Sequence, residues 1–102
     1  MDYELRIIPD CPNSAAALEL FRAALTSEGV DDDVRVLELA SEEQAAGLGF
    51  HGSPSFIAGG RDLFPSTAPP ALTCRVYQGV AGFSGLPTGE ELRVALRSAF
   101  SL

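Results

Sequence analysis

Two cysteines carry the most distinctive chemistry in this sequence, and the surroundings of the first one are informative. Cys11 is followed directly by Pro12, and Ser14 comes three residues after Cys11. Because proline is favoured at the first position of a helix, this spacing predicts that Cys11 is the N-cap of a helix beginning at Pro12. Unpaired backbone N–H groups and the positive end of the helix dipole would then favour its thiolate, the reactive form of cysteine. The alternative is a loop cysteine that happens to precede a helix.

Three other candidate residues, Ser14, Cys74 and His51, each allow two interpretations. Ser14 lies one turn beyond Cys11, so its hydroxyl can hydrogen-bond the sulfur, although a serine in a first turn more often caps the local backbone. Cys74 is either a buried small side chain or a second reactive thiol. His51, the single histidine, can deprotonate a thiol near neutral pH or can be a solvated loop residue. Two thiols and one histidine do not complete a closed zinc site, so the sequence predicts no metal and no other cofactor.

A second candidate binding element is the Ser53–Pro54 dipeptide, which directly precedes a predicted strand. A cis peptide bond there would form a sharp turn and present the backbone N–H and C=O of Ser53 to a neighbouring site. The alternative is a trans proline, which is the commoner form. Phe83, among glycines, is a candidate exposed aromatic. Arg75 can hold an anionic substrate or help to hold Cys11 as the thiolate, and the default is an exposed arginine beside a strand.

Hydropathy spacing and turn residues predict the elements that must position these residues. The predicted order is a strand over 3–8, a helix over 12–28, a strand over 34–39, a short helix after 41, strands over 55–58 and 61–64, and a helix after 88. The stretch 65–70 is proline-rich and irregular, 74–77 is a short extended piece, and the glycines that follow predict irregular structure. This β-α-β-α-β-β-α order predicts an α/β fold with a mixed four-stranded sheet and helices on both faces.

Several of these features together resemble the thioredoxin-like superfamily, and the resemblance spans nearly the whole chain. It implies a single thioredoxin-like domain over residues 1–102. The features that carry it are the Cys-Pro-x-Ser start of the first helix, Ser53–Pro54 before the third strand, the Gly59–Gly60 hairpin, the segment 85–92 and the order of elements.

The resemblance implies that Cys11 is the nucleophile and that Pro54 is a cis proline bordering the substrate site. Ser14 stands where the superfamily's C-x-x-C motif has its resolving cysteine, as in single-thiol glutaredoxins and inactive relatives. The fold would carry the segment that ends at Cys74 back toward Cys11, so that Cys74 resolves the mixed disulfide. We therefore expect the two Cα atoms to lie at most about 7 Å apart, or to be brought there by a small loop movement. The expected substrate-binding residues are Pro12, Ser14, Ser53 and Pro54.

Three functions follow from this interpretation. The first is a thiol–disulfide oxidoreductase acting through Cys11, whose partner is a protein or small-molecule thiol or disulfide. The second is a non-enzymatic binding module that uses the Cys11 and Pro54 surface. The third is a single-thiol carrier of an iron–sulfur cluster between two chains.

Composition excludes several other classes of protein. The chain has 102 residues and a formal net charge of -7, which disfavours binding to nucleic acid or to anionic lipid. No apolar run approaches the roughly 20 residues of a membrane helix, and the first residues lack the features of a signal peptide. The sequence therefore predicts a cytoplasmic protein, and it predicts no oligomeric state.

Overall fold

A computed structural model describes residues 1–67, 69–79 and 82–100 of the chain. They form an α/β structure with three helices. The strands are β1 (Tyr3–Ile7), β2 (Val34–Glu38), β3 (Ser55–Ala58), β4 (Arg61–Asp62), β5 (Tyr77–Gly79) and β6 (Gly82–Ser84), and the helices are α1 (Ser14–Ser27), α2 (Glu42–Leu48) and α3 (Gly89–Phe100).

The first four strands form one mixed sheet in the order β2-β1-β3-β4. Strand β1 runs parallel to β2, with Leu5 opposite Val36, and antiparallel to β3, with Leu5 opposite Phe56. Strands β3 and β4 pair as an antiparallel hairpin. The predicted mixed four-stranded sheet is therefore confirmed.

Apolar clusters lie on both faces of this sheet, because side chains alternate along a strand and β2 places Val34 in one cluster and Leu37 against the other. Tyr3, Leu5 and Ile7 face the larger cluster, which includes buried residues of α1 and α3 such as Phe21 and Leu92. The next residue along the chain, Ile8, packs instead against a smaller cluster. That cluster contains Leu39, Ala45 and Phe50 and brings in α2.

The sequences Ser41–Gln44 and Thr88–Glu91 each match a capping box, and the structure forms the reciprocal bonds only at the second. Thr88 accepts a hydrogen bond from the Glu91 N–H at 3.1 Å, and the Glu91 carboxylate accepts one from the Thr88 N–H at 2.9 Å. Ser41 likewise accepts from the Gln44 N–H at 3.1 Å, while the Gln44 side chain accepts from Ala40 rather than from Ser41. Both contacts satisfy backbone donors that a helix leaves unpaired.

The structure differs from the sequence prediction in two strands. The predicted strand 61–64 ends at Asp62, because the Asp62 carboxylate accepts the Phe64 N–H at 2.9 Å and turns the chain. The glycine-rich stretch predicted to be irregular contains β5 and β6, which pair antiparallel as a separate two-stranded sheet. None of the described helices is long and apolar enough to cross a membrane.

Candidate functional site at the Ser53 loop

Cys11 lies in the connection between β1 and α1, and its position corrects the predicted helix start. The N-cap of α1 is Asn13, whose carbonyl oxygen accepts the Ala17 N–H at 2.8 Å. The Cys11 carbonyl oxygen instead accepts the Ser14 N–H at 3.3 Å, which closes a tight turn before the helix. Cys11 therefore precedes the N-cap by two residues, and its side chain is buried, with 8% of the residue exposed.

Ser14 and Pro12 also differ from their expected roles beside the sulfur. The Ser14 hydroxyl donates to the Cys11 carbonyl oxygen at 3.1 Å, so the local backbone contact is correct and the predicted bond to the sulfur is wrong. Pro12 lies exposed in the turn, outside the helix.

The predicted cis peptide bond between Ser53 and Pro54 is confirmed. Both residues are buried at the start of β3. The Ser53 hydroxyl accepts a hydrogen bond from the Ile8 N–H at 3.2 Å, and the Ile8 carbonyl oxygen accepts the Cys11 N–H at 3.3 Å. This side of Ser53 is therefore tied directly to the chain that leads into Cys11.

The backbone of Ser53 is not open to a neighbouring molecule, which corrects the sequence prediction. Its N–H donates to the Thr73 carbonyl oxygen and its carbonyl oxygen accepts the Arg75 N–H, both at 2.8 Å. Cys74, between them, is the parallel bridge partner of Ser53. We call residues 71–77 the strap and residues 50–54 the Ser53 loop. The strap thus occupies the groups that were expected to meet a substrate.

Arg75 anchors the strap, and its side chain is only 9% exposed. Its guanidinium bonds the Asp62 carboxylate at 2.7 Å and the Ser55 hydroxyl at 3.3 Å, and it donates to the Phe64 carbonyl oxygen. It also lies 4.8 Å from the centre of the Tyr77 ring. The interpretation of Arg75 as an exposed side chain is therefore wrong, and its charge is paired with Asp62.

Tyr77 and Gly52 make two further contacts between the strap and the Ser53 loop. The Tyr77 hydroxyl donates to the Pro54 carbonyl oxygen, and burial raises the pKa of Tyr77, with Asp62 adding to the rise and Arg75 opposing it. The neutral hydroxyl is therefore the form that makes this bond. Gly52 has a φ of +115°, and a Cβ on it would lie 2.9 Å from the Cβ of Arg75.

Cys74 is exposed, so its interpretation as a buried small side chain is wrong. It lines an open cavity of about 410 Å³ together with residues that include His51, Arg75 and Tyr77. His51 is half-buried, and its Nδ1 atom has no hydrogen-bond partner among the described residues.

The predicted exposure of Phe83 is confirmed, since 74% of this residue is exposed.

Ser53 connects the two cysteines of the site. Its hydroxyl bonds Ile8, to which Cys11 is also bonded, and its main chain pairs with the strap residues on both sides of Cys74. Both cysteines are free thiols, Cys11 buried and Cys74 exposed. The expected separation of their Cα atoms stays a prediction. Within the part of the chain that the structure describes, no three His, Cys, Asp or Glu side chains are grouped to hold a metal.

Sequence reasoning missed Asp62 and Gly52, which both contact the strap at Arg75. Their only signals were an acid in the strand after the hairpin and a glycine directly before Ser53, and neither signal points to Arg75. Comparison with protein-family models, with curated proteins and with solved structures yields no match to this chain.

Proposed function

We propose that the chain is a thioredoxin-like domain that exchanges thiols and disulfides through Cys11 and Cys74. The observation that carries the proposal is the position of Ser53 between them, bonded to the Cys11 connection through its hydroxyl and to the strap through its main chain. A buried thiol linked to Ser53 through Ile8 and an exposed thiol opposite Ser53 suit a pair that forms and breaks an internal disulfide. The element order and the cis bond before Pro54 agree with the proposed fold.

The exposure of the two thiols favours an order of attack different from the one expected from the sequence. Cys74 is the thiol that an incoming disulfide meets first, because Cys11 is only 8% exposed. The Cys74 thiolate attacks one sulfur of the substrate disulfide, and the other sulfur leaves as a thiolate. The Cys11 thiolate then attacks the Cys74 sulfur of the mixed disulfide and expels the second substrate thiolate. Two electrons pass to the substrate, and Cys11 and Cys74 are left as an internal disulfide.

The partner in this reaction is a protein or small-molecule disulfide, and its thiol form in the reverse direction. We keep the cytoplasmic location predicted from the sequence, since thiols are held reduced in that compartment.

Reaction of the reduced protein with glutathione disulfide tests the pairing. We expect the wild-type protein to lose two hydrogen atoms in its intact mass and to retain no glutathione. We expect Cys11→Ser to accumulate one glutathione on Cys74, because nothing then resolves the mixed disulfide. Cys74→Ser should react slowly through the buried Cys11, and the double variant serves as the unreactive control. A wild-type protein that keeps glutathione and forms no internal bond would show that the pairing is wrong.

The second candidate function is a non-enzymatic binding module, and the position of Cys11 favours it. Cys11 is buried, and the N-cap position that was expected to favour its thiolate belongs to Asn13, two residues further along the chain. The same oxidation experiment separates the two functions. A binding module would show neither the internal disulfide nor faster reaction of either cysteine than a cysteine in an unfolded peptide.

A further inference from the structure

The strap is a main-chain ligand of the Ser53 loop that belongs to the same chain. It runs parallel to the loop, with the Ala71 N–H bonded to the Phe50 carbonyl oxygen at 3.0 Å and the two bonds to Ser53 at 2.8 Å. An extended segment of any chain can make such main-chain bonds, because they do not depend on side-chain identity. The geometry at Ser53 is therefore that of a peptide site whose occupant is already present.

Beside this main-chain contact, two strap side chains contact residues outside the strap. Leu72 packs against the smaller apolar cluster formed around Leu39 and Phe50. Arg75 reaches the Asp62 carboxylate, whose side chain is 16% exposed even with Arg75 in place. An empty Ser53 loop would therefore present an apolar recess and a carboxylate spaced for an aliphatic residue and for an arginine three residues later.

The strap is attached to the remainder of the molecule in a way that permits local opening. Residues 65–67, 69 and 70, which precede it, are exposed and belong to no helix or strand. Thr73, Cys74 and Val76 are exposed within it. A segment with exposed residues and an irregular preceding chain opens locally at a lower free energy than the centre of a sheet. Opening of the strap must break the contacts of Leu72, Arg75 and Tyr77.

We propose that the strap is a displaceable cover and that an extended peptide segment of a partner protein replaces it on the Ser53 loop. The partner segment takes the same two main-chain bonds to Ser53, places an aliphatic side chain where Leu72 packs, and places an arginine on Asp62. The inference goes beyond the thiol chemistry and rests on the proposed function only in using the same loop. Displacement of the strap also carries Cys74 away from Ser53. A bound partner and the proposed internal disulfide therefore exclude each other.

Hydrogen exchange in the reduced wild-type protein tests the opening without any substitution. We expect the Ser53 and Arg75 amides to exchange at least about tenfold faster than the amides that join β1 to β3, such as those around Leu5 and Phe56. Exchange of both sets at one common rate would overturn the proposal, because the strap would then open only when the whole protein unfolds.

Binding of a strap peptide tests the site itself. The probe is a fluorescent peptide that copies residues 71–77 with Cys74→Ser, and the protein carries Arg75→Gln to loosen its own strap. We expect this variant to bind the probe at least about tenfold more tightly than the wild-type protein does, as measured by anisotropy. Equal binding of a scrambled peptide, or no gain over the wild-type protein, would contradict the proposal.

A second variant keeps the test informative if Arg75→Gln leaves Asp62 as an unpaired buried charge and fails to fold. The double variant Asp62→Asn with Arg75→Gln removes both charges and should also speed exchange at Ser53. It should bind the probe with no preference for the arginine over a probe that carries Arg75→Gln. Neither the peptide nor these variants needs a thiol reaction. Failure of the internal disulfide to form would therefore leave these results unchanged, and failure of peptide binding would leave the oxidation result unchanged.

Discussion

Gly52 is the residue on which the contact between the strap and the Ser53 loop depends most directly. Its φ of +115° lies where L side chains rarely occur, and an added Cβ would approach the Arg75 Cβ to 2.9 Å. Withdrawal of Arg75 would stretch its N–H bond to the Ser53 carbonyl oxygen at 2.8 Å and its ion pair with Asp62 at 2.7 Å. Glycine at position 52 therefore satisfies a backbone and a packing requirement together.

We expect Gly52→Ala to lower the free energy of unfolding by roughly 2–3 kcal/mol and to speed amide exchange at Ser53. The matched control is Gly60→Ala, since Gly60 also has a positive φ, +81°, but an added Cβ would meet nothing within 4 Å. The control should lose about 1 kcal/mol and leave exchange at Ser53 unchanged. Urea unfolding and exchange measured by NMR check both values. Equal acceleration at Ser53 in the two variants would show that Gly52 does not hold the strap.

Single residues show what the sequence could and could not predict at the site. The cis bond before Pro54 was predictable by resemblance, and both cysteines were identified by residue type. The pairing of Ser53 with the strap was not predictable, because it joins two segments separated by about 20 residues of hairpin and proline-rich chain. The same holds for the ion pair between Arg75 and Asp62, which depends on where the irregular chain returns.

At the scale of elements, hydropathy spacing predicted the helices and strands whose sequences have a clear local period of apolar residues. The helices and the first three strands appear where alternation or helical spacing predicted them. The start of α1 was wrong by two residues, because the Cys11 carbonyl forms a turn with Ser14 before helical bonding begins. Strands β5 and β6 were missed because their glycine-containing segments carry no clear alternation of polar and apolar residues.

Helices α1 and α3 are joined at their C-terminal ends by one ion pair with two hydrogen bonds. Arg97 donates to the Glu28 carboxylate at 2.8 and 3.0 Å. The hydrogen bond from Arg97 lowers the pKa of Glu28, partial burial opposes this, and the charges of Arg97 and Arg93 lower it further. A lowered pKa in the folded protein gives a contribution that is complete above the ordinary pKa and is lost as the pH falls through the lower value.

We therefore expect Glu28→Gln to reduce stability at neutral pH and to matter less as the solution is acidified. The difference in urea midpoint between wild type and variant should be largest near pH 7 and should shrink between about pH 5 and about pH 3. High salt should also reduce the difference, because Arg97 is exposed. The control Glu19→Gln removes an exposed carboxylate from the same helix and should leave the pH profile unchanged. A difference that is constant across this pH range would rule out the ion pair as its cause.

At the scale of the whole molecule, the strap links the two apolar clusters on opposite faces of the sheet. Leu72 at its start packs against the smaller cluster, and Tyr77 at its end lies in the larger one. Cys74 lies between these two attachments and opposite Ser53. An internal disulfide from Cys74 to Cys11 would therefore attach the strap at its middle. The free energy of unfolding of the oxidised protein then shows whether the bond forms without straining the fold.

The last prediction is that oxidation stabilises the protein. A bond between Cys11 and Cys74 closes a loop of about 60 residues, which lowers the entropy of the unfolded chain and adds up to about 4 kcal/mol to the free energy of unfolding. Urea unfolding of the oxidised and reduced wild-type protein measures the gain, and Cys74→Ser treated with the same oxidant should show none. Because folding and oxidation are linked, a stabilised oxidised form makes the reduced protein the stronger reductant. An oxidised protein less stable than the reduced one would mean that the strap must move to form the bond. The pair would then accept electrons from a substrate dithiol rather than donate them to a disulfide.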